Sequence, residues 1–207
     1  MENYKILKVT RIILNVFWYL QLAVIGSIIL IGLFLLFDVD FIDLNRLNGF
    51  KIHFSKIMFS DPLILNGENY DFSLTNGEGR LHINDLDQKF VYLRMLGALT
   101  DSIIYLMIIH FLRKIFKSLT ENKYFVSSNG KYIKKIAISI IFLAIVPEVI
   151  YYLTDRWIIS TIELKDVIFK NEFNFEYQTI LLGLLVFVIS IVFLRGIELK
   201  EDQELTI

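Results

Sequence analysis

The sequence predicts an all-α membrane protein with four transmembrane helices and a small β-rich cap outside the membrane. Three observations support this fold class: four long apolar runs, polar connections whose net charge alternates in sign, and period-two alternation within two of those connections. Of the 207 residues, 55% are hydrophobic. A soluble domain usually has about 45–50% apolar residues. Because the excess is concentrated in runs long enough to cross a bilayer, it indicates membrane spans.

The spans and their connections divide the chain into nine segments. The predicted transmembrane helices cover residues 12–37, 95–112, 136–154 and 177–194, and the polar segments are 1–11, 38–94, 113–135, 155–176 and 195–207. The first span has Asn15 and Gln21 as its strongly polar members. It is longer than the about 7–15 apolar residues of a signal peptide and lacks a small-residue cleavage site, so it is predicted to remain as an anchor.

The charges of the connections predict the orientation. Residues 113–135 contain seven basic residues and one acidic residue, a net charge of +6, and residues 1–11 contain three basic residues. Residues 38–94 and 155–176 have net charges of −3 and −2. Lys and Arg close to the ends of spans favour the cytoplasmic side. Both termini are therefore predicted to be cytoplasmic, and the two acidic segments to lie outside.

The two outer segments are predicted to form short strands. Apolar and polar residues alternate with the period of a half-buried strand at 50–54, 70–74, 81–83, 157–164 and 173–177. Because two or three strands are marginal in water by themselves, the two segments are expected to pack into one cap over the helices. Two roles for this cap stay open: a lid over the helix ends, or a domain that senses an external ligand.

Turn signals predict how the first outer segment folds. Asn66–Gly67 and Asn76–Gly77 are typical of hairpin turns, because Asn and Gly tolerate positive φ. The predicted hairpin pairs residues 69–74 with residues 80–84 around Thr75–Gly79.

Two acidic residues lie inside the predicted spans. Asp101 and Glu148 each lie six residues from the outer end of a span, roughly 9 Å below the outer boundary at about 1.5 Å per residue. Ionisable groups at such positions are candidates for function. The two are predicted either to share a proton or a cation, or to be hydrated, with Arg94 or Arg156 neutralising Asp101. His110 lies near the inner end of its span and is predicted to be interfacial.

No catalytic or metal-binding motif is present. The chain has no Cys, which excludes disulfides, thiol catalysis and Cys-based metal sites. Of its three histidines, His53 and His82 fall in the first outer segment and His110 near the inner face, so they are not expected to form one metal site. There is no zinc-protease, nucleophile-elbow or phosphate-loop sequence. We therefore expect no enzyme activity, no cofactor, no metal and no direct binding of nucleic acid.

The basic connection 113–135 is the main candidate for recognition. The second helix is predicted to continue to Leu119, followed by a turn at Thr120–Phe125 and an N-cap at Ser127 or Ser128. Basic and aromatic side chains together suit an anionic lipid surface or a protein-docking surface. The docking candidates are Arg113, Lys114, Lys117, Phe125 and Lys131 with the tail residues Glu204, Leu205, Thr206 and Ile207.

The same connection and the tail resemble a known family. Residues 112–119, then Phe125, precede a closing pattern formed by Gly196, Glu198, Leu199, Glu204, Leu205, Thr206 and Ile207. This arrangement resembles a bacterial four-span membrane family catalogued as domain of unknown function 2975. One departure is Tyr124, since the family often has Pro before the loop Phe.

The resemblance implies a genomic context but no activity, because the family has none established. Its members tend to be encoded beside a small helix-turn-helix regulator. We therefore expect a non-enzymatic sensor or regulator in the bacterial cytoplasmic (inner) membrane, whose partners are the bilayer and such a regulator. The alternative is an immunity-type, small-molecule or ion transport protein that uses Asp101 and Glu148. The sequence leaves the oligomeric state open.

Overall fold

Four long helices form most of the structure, a computed structural model that describes residues 2–37, 50–59, 63–65, 68–81, 88–161, 166–170, 173 and 176–204. The helices are α1 (Glu2–Leu36), α2 (Gln88–Thr120), α3 (Ser127–Thr161) and α4 (Tyr177–Glu204). All four are long and apolar enough to cross a membrane. The prediction of four apolar helices is confirmed. Each helix also extends beyond its predicted span, since hydropathy marks the apolar part of a helix and hydrogen bonding sets its ends.

Large apolar side chains remain exposed along the helices. On α4, Leu181, Val188 and Val192 are 60%, 58% and 67% exposed. In the most apolar part of α1, 6% of the residues are buried. Apolar helix surfaces of this extent are stable in contact with lipid and unstable in water. The exposed faces therefore support a multi-pass membrane protein.

The chain divides into two compact units. One unit contains Met1–Leu30, Ala98–Pro147 and Phe175–Ile207, and the other contains Ile31–Gly97 and Glu148–Asn174. We call the first the helical unit and the second the sheet unit, because every strand in the described part of the chain lies in the second.

The described residues of the sheet unit contain five short strands. They are β1 (Phe50–Met58), β2 (Leu63–Leu65), β3 (Glu68–Tyr70), β4 (Ser73–Leu81) and β5 (Val167–Lys170). One sheet has the order β4-β1-β5, with β1 antiparallel to both neighbours, and the other pairs β2 with β3. Because β5 comes from 155–176 and β1 and β4 come from 38–94, the two segments share one sheet. The strands β2 and β3 flank Asn66–Gly67, which lies outside the described residues.

The predicted hairpin around Thr75–Gly79 is wrong. Strand β4 continues through these residues and pairs with β1, from Leu81 opposite Phe50 to Ser73 opposite Met58. Asn76 has a φ of 52°, and a Cβ on Gly77 would collide with the ring of Phe54. The Asn–Gly pair therefore marks an irregular point within a strand, where a buried Phe covers a residue without a side chain.

Two other predicted strands are also wrong where the structure describes them. Residues 157–161 belong to α3, and Ile158 there is 2% exposed. Tyr177 begins α4, and Phe173 lies outside any strand. Residues 162–164 and 174–175 lie outside the described residues. Alternation over a few residues does not distinguish a strand from the end of a helix. Strand β5 was not predicted.

In the helical unit, α3 and α4 pack through small residues at seven-residue intervals. The buried small residues are Gly130, Ala137 and Ala144 on α3 and Gly183 and Ser190 on α4. A Cβ on Gly183 would lie 2.6 Å from Cγ1 of Ile141. A Cβ on Gly130 would lie 2.5 Å from Cδ2 of Leu194. Small residues let membrane helices approach closely, which is what holds them together in lipid.

Candidate functional site

The turn between α2 and α3 is a closed, hydrogen-bonded structure. Asn122 has a φ of 60°. Its backbone N donates to the carbonyl of Leu119 at 3.1 Å, and the N of Lys123 donates to the carbonyl of Ser118 at 3.0 Å. This pair of bonds around a left-handed Asn is the Schellman motif that ends helices. The predicted end of α2 and the turn that follows it are confirmed.

Asn129, the third residue of α3, fixes the other side of the same turn. Its Nδ2 donates to the carbonyls of Lys123 and Tyr124 at 3.1 and 3.2 Å, and the residue is 2% exposed. Outside this framework the side chains of Tyr124 and Phe125 are 46% and 64% exposed. The ring of Phe125 stacks on Phe193 of α4 with the centroids 5.8 Å apart. The turn therefore presents two aromatic side chains from a fixed backbone.

A polar cleft lies between α1 and α2 in the helical unit. It has a volume of about 270 Å³ and is lined by Arg11, Asn15, His110, Arg113, Lys114 and Lys117. On α2 these residues follow a spacing of three or four, so they share one face of the helix. On α1 the two lining residues are four apart and share a face for the same reason. We call this feature the basic cleft.

Two arginines of the basic cleft are held in place by neutral partners. Nε of Arg113 donates to Oδ1 of Asn15 at 2.7 Å, and its guanidinium lies 4.3 Å from the ring centroid of Trp18. Nη1 of Arg11 donates to Oγ1 of Thr120 at 3.2 Å. Each arginine thus has one nitrogen bound to a neutral oxygen, which orients the rest of its planar donor group.

Among the described residues, no carboxylate forms an ion pair with Arg11, Arg113, Lys114 or Lys117. The nearby acid is Glu121, which pairs with Nζ of Lys123 at 3.1 Å. The hydrogen bond and charge of Lys123 hold the pKa of Glu121 below its usual value, with smaller effects of Lys117 and Arg11. The cleft is therefore strongly positive.

Two lysines of the helical unit lie over aromatic rings. Nζ of Lys114 is 5.3 Å from the ring centroid of Tyr132, and Nζ of Lys135 is 5.2 Å from that of Phe111. An apolar groove of about 520 Å³ lies between α2 and α3, lined by Thr100, Ile104, Met107, Phe111, Lys135, Ile138, Ser139, Phe142 and Val146. Lysines over aromatic faces at the end of an apolar groove are typical of the boundary between lipid tails and water.

The structure brings together some of the predicted docking residues and separates others. Arg113, Lys114 and Lys117 line the basic cleft, together with His110. Phe125 lies in the α2–α3 turn, and Lys131 is exposed on α3 without lining the cleft. Glu204 is the last described residue of α4, and Leu205, Thr206 and Ile207 lie outside the described residues. Arg11 and Asn15 were not among the candidates, although their four-residue spacing beside a basic segment was a usable signal.

The two intramembrane acids fall in different units. Asp101 belongs to the helical unit and Glu148 to the sheet unit, and both are half-buried. A site shared by them stays a prediction. Within the sheet unit, Arg94 of α2 forms an ion pair with Asp155 of α3. Arg94, a predicted counter-ion for Asp101, thus has an acidic partner that the sequence reasoning missed.

The described residues hold no cluster of metal ligands, and a family model matches more than half of the chain. In the described ranges, no three His, Cys, Asp or Glu residues are grouped as metal ligands would be. No curated protein and no solved structure matches the chain. The model of one family, described as a protein of unknown function (DUF2975), matches residues 80–207. This match covers α2, the α2–α3 turn, α3 and α4, so the chain belongs to the DUF2975 family.

Proposed function

We propose that the protein is a non-enzymatic sensor or regulator of the bacterial cytoplasmic membrane that binds a cytosolic helix-turn-helix protein. Its termini and the α2–α3 turn lie in the cytoplasm, and its strands lie outside. The charge of the connections supports this orientation, since residues 113–135 have a net charge of +6 and residues 38–94 one of −3. The sheet, which joins both outer segments, is the part that detects the external signal.

The observation that supports partner binding best is the exposure of Phe125 on a fixed turn. Two hydrogen bonds from Asn129 and the Schellman bonds of α2 hold the backbone that presents it. Its ring is 64% exposed although it stacks on Phe193. A surface that is ordered before binding loses little conformational entropy when a partner docks. Aromatic side chains with adjacent basic residues also suit interface hot spots.

A pull-down tests the partner. The full-length protein, solubilised from native membranes, should retain the helix-turn-helix protein encoded beside it. Phe125→Ala should reduce the retained amount by about tenfold, the effect of one aromatic hot spot. Tyr105→Ala is the matched control, since Tyr105 is 49% exposed in the middle of α2. Equal retention by the two variants, or none by the native chain, would contradict the proposal.

The tail supplies a second test of the same surface. Deletion of 204–207 leaves all four apolar spans intact, so membrane insertion and the melting temperature should not change. Retention of the partner should fall, because a short peptide segment can add a strand to the edge of a partner's sheet. If the truncated chain retains its partner in full, the tail is excluded from the docking surface and the turn alone must account for binding.

A further inference from the structure

We propose that the basic cleft is a phosphate-binding site, which accepts the phosphate of an anionic phospholipid headgroup or of a small soluble phosphate. This inference does not depend on the proposed regulator function. It rests on the composition, geometry and size of the cleft between α1 and α2.

The composition of the cleft favours an anion. Arg11, Arg113, Lys114 and Lys117 are four permanent cations around about 270 Å³. Like charges at such short range raise each other's free energy, and a bound anion removes that cost. Glu121 does not offset the repulsion between these cations, because its carboxylate pairs with Lys123. In the described part of the chain, the cleft thus has positive charge that no carboxylate neutralises by an ion pair.

The geometry of the two arginines favours phosphate over an anion that does not present two acceptor oxygens. Nε of Arg113 is bound to Asn15 and its guanidinium lies over Trp18, so its plane is fixed. Arg11 is fixed through Nη1 by Thr120. A fixed guanidinium presents a fork of N–H donors that matches two phosphate oxygens. Lys114 and Lys117, both exposed, add two point charges at the same site.

The size of the cleft limits the ligand. A volume of about 270 Å³ is below the roughly 300–1,000 Å³ of pockets that enclose drug-sized molecules. It is large enough for a phosphate with a few further atoms, such as a glycerol headgroup. Basic pockets between transmembrane helices near the cytoplasmic surface are typical sites for anionic lipid headgroups.

Thermal unfolding of the full-length protein in non-ionic detergent tests the site with three probes. They are dihexanoylphosphatidylglycerol, dihexanoylphosphatidylcholine and inorganic phosphate. A rise in melting temperature with phosphatidylglycerol alone supports a lipid source, and a rise with inorganic phosphate supports a soluble one. Equal rises with phosphatidylglycerol and phosphatidylcholine would show no preference for an anionic headgroup and would overturn the proposal. No rise with any probe would overturn it too.

Substitutions of residues that line the basic cleft test whether the probe binds there. Arg113→Gln should weaken binding of the active probe by about ten- to a hundredfold, the effect of losing a charge-assisted hydrogen bond. Lys117→Gln should weaken it less but is the safer variant for folding, because the Lys117 side chain is exposed. Lys8→Gln, an exposed cation one turn before Arg11 that does not line the cleft, should bind as the native chain does. Full binding by both the Arg113 and the Lys117 variants would place the ligand elsewhere.

Discussion

Asn15 of α1 accepts a hydrogen bond of 2.7 Å from Nε of Arg113 of α2. Six residues further along α1, Nε2 of Gln21 donates to the carbonyl of Ser102 at 3.1 Å. These are the two strongly polar residues of an otherwise apolar span. Each is bonded to the neighbouring helix, so the polar interruptions of α1 are points of attachment to α2.

Replacing these attachment points should destabilise the helical unit. Asn15→Leu and Gln21→Leu should each lower the free energy of unfolding by about 0.6 kcal/mol and by no more than about 1.7 kcal/mol, the average and the maximum measured for hydrogen bonds between membrane helices. Denaturant titration of the detergent-solubilised protein measures the change. Ser27→Ala is the control, because Oγ of Ser27 bonds to the carbonyl of Ala23 in its own helix. Leucine variants as stable as this control would show that the two bonds contribute nothing.

The packing of α3 against α4 predicts opposite effects for two glycines of one helix. Gly183→Ala should destabilise by about 1–3 kcal/mol, the usual cost of overpacking, since its Cβ would meet Ile141 and lie 3.2 Å from the carbonyl of Ala137. A Cβ on Gly196 would have nothing within 4 Å. Gly196→Ala should therefore raise the free energy of unfolding by about 0.5–1 kcal/mol, because Ala has a higher helix propensity than Gly. Thermal unfolding of the two variants side by side checks the difference. A stabilised Gly183 variant would refute the close helix contact.

The ion pair between Arg94 and Asp155 should contribute to the stability of the sheet unit. Their side chains are 23% and 27% exposed, so water screens the pair only in part. A double-mutant cycle with Arg94→Gln and Asp155→Asn should give a coupling free energy of about 1–2 kcal/mol. The exposed pair of Arg195 and Glu198, 77% and 59% exposed, is the control and should give about 0.5 kcal/mol or less. Equal coupling in the two cycles would show that burial adds nothing to the first pair.

Cysteine labelling tests the orientation. The native chain has no Cys, so single cysteines introduced at Ser73 and Ser128 can be labelled without background from native cysteines. Both positions are exposed. Ser73→Cys in β4 should react with a membrane-impermeant maleimide in intact cells, and Ser128→Cys should react after lysis. Asn129 is unsuitable because it is 2% exposed and fixes the turn. External labelling of position 128 would reverse the proposed topology.

Local properties of the sequence determined the helical part of this fold. Apolar run length identified all four helices, and the segment after Leu119 predicted a turn at Thr120–Phe125, because hydropathy and turn chemistry act over a few neighbouring residues. The alternation at 50–54 identified the start of β1 for the same reason.

Contacts between distant residues decided the rest. Asn76–Gly77 lies inside β4 because Phe54 covers the glycine, and that pairing depends on a partner strand more than 20 residues away. The basic cleft joins Arg11 to Arg113 because α1 and α2 pack with those faces together. Hydropathy gives no information about how a helix is rotated around its axis when most of its surface is apolar. The sequence by itself therefore determined which segments are helical, and the tertiary structure decided which of their few polar side chains meet.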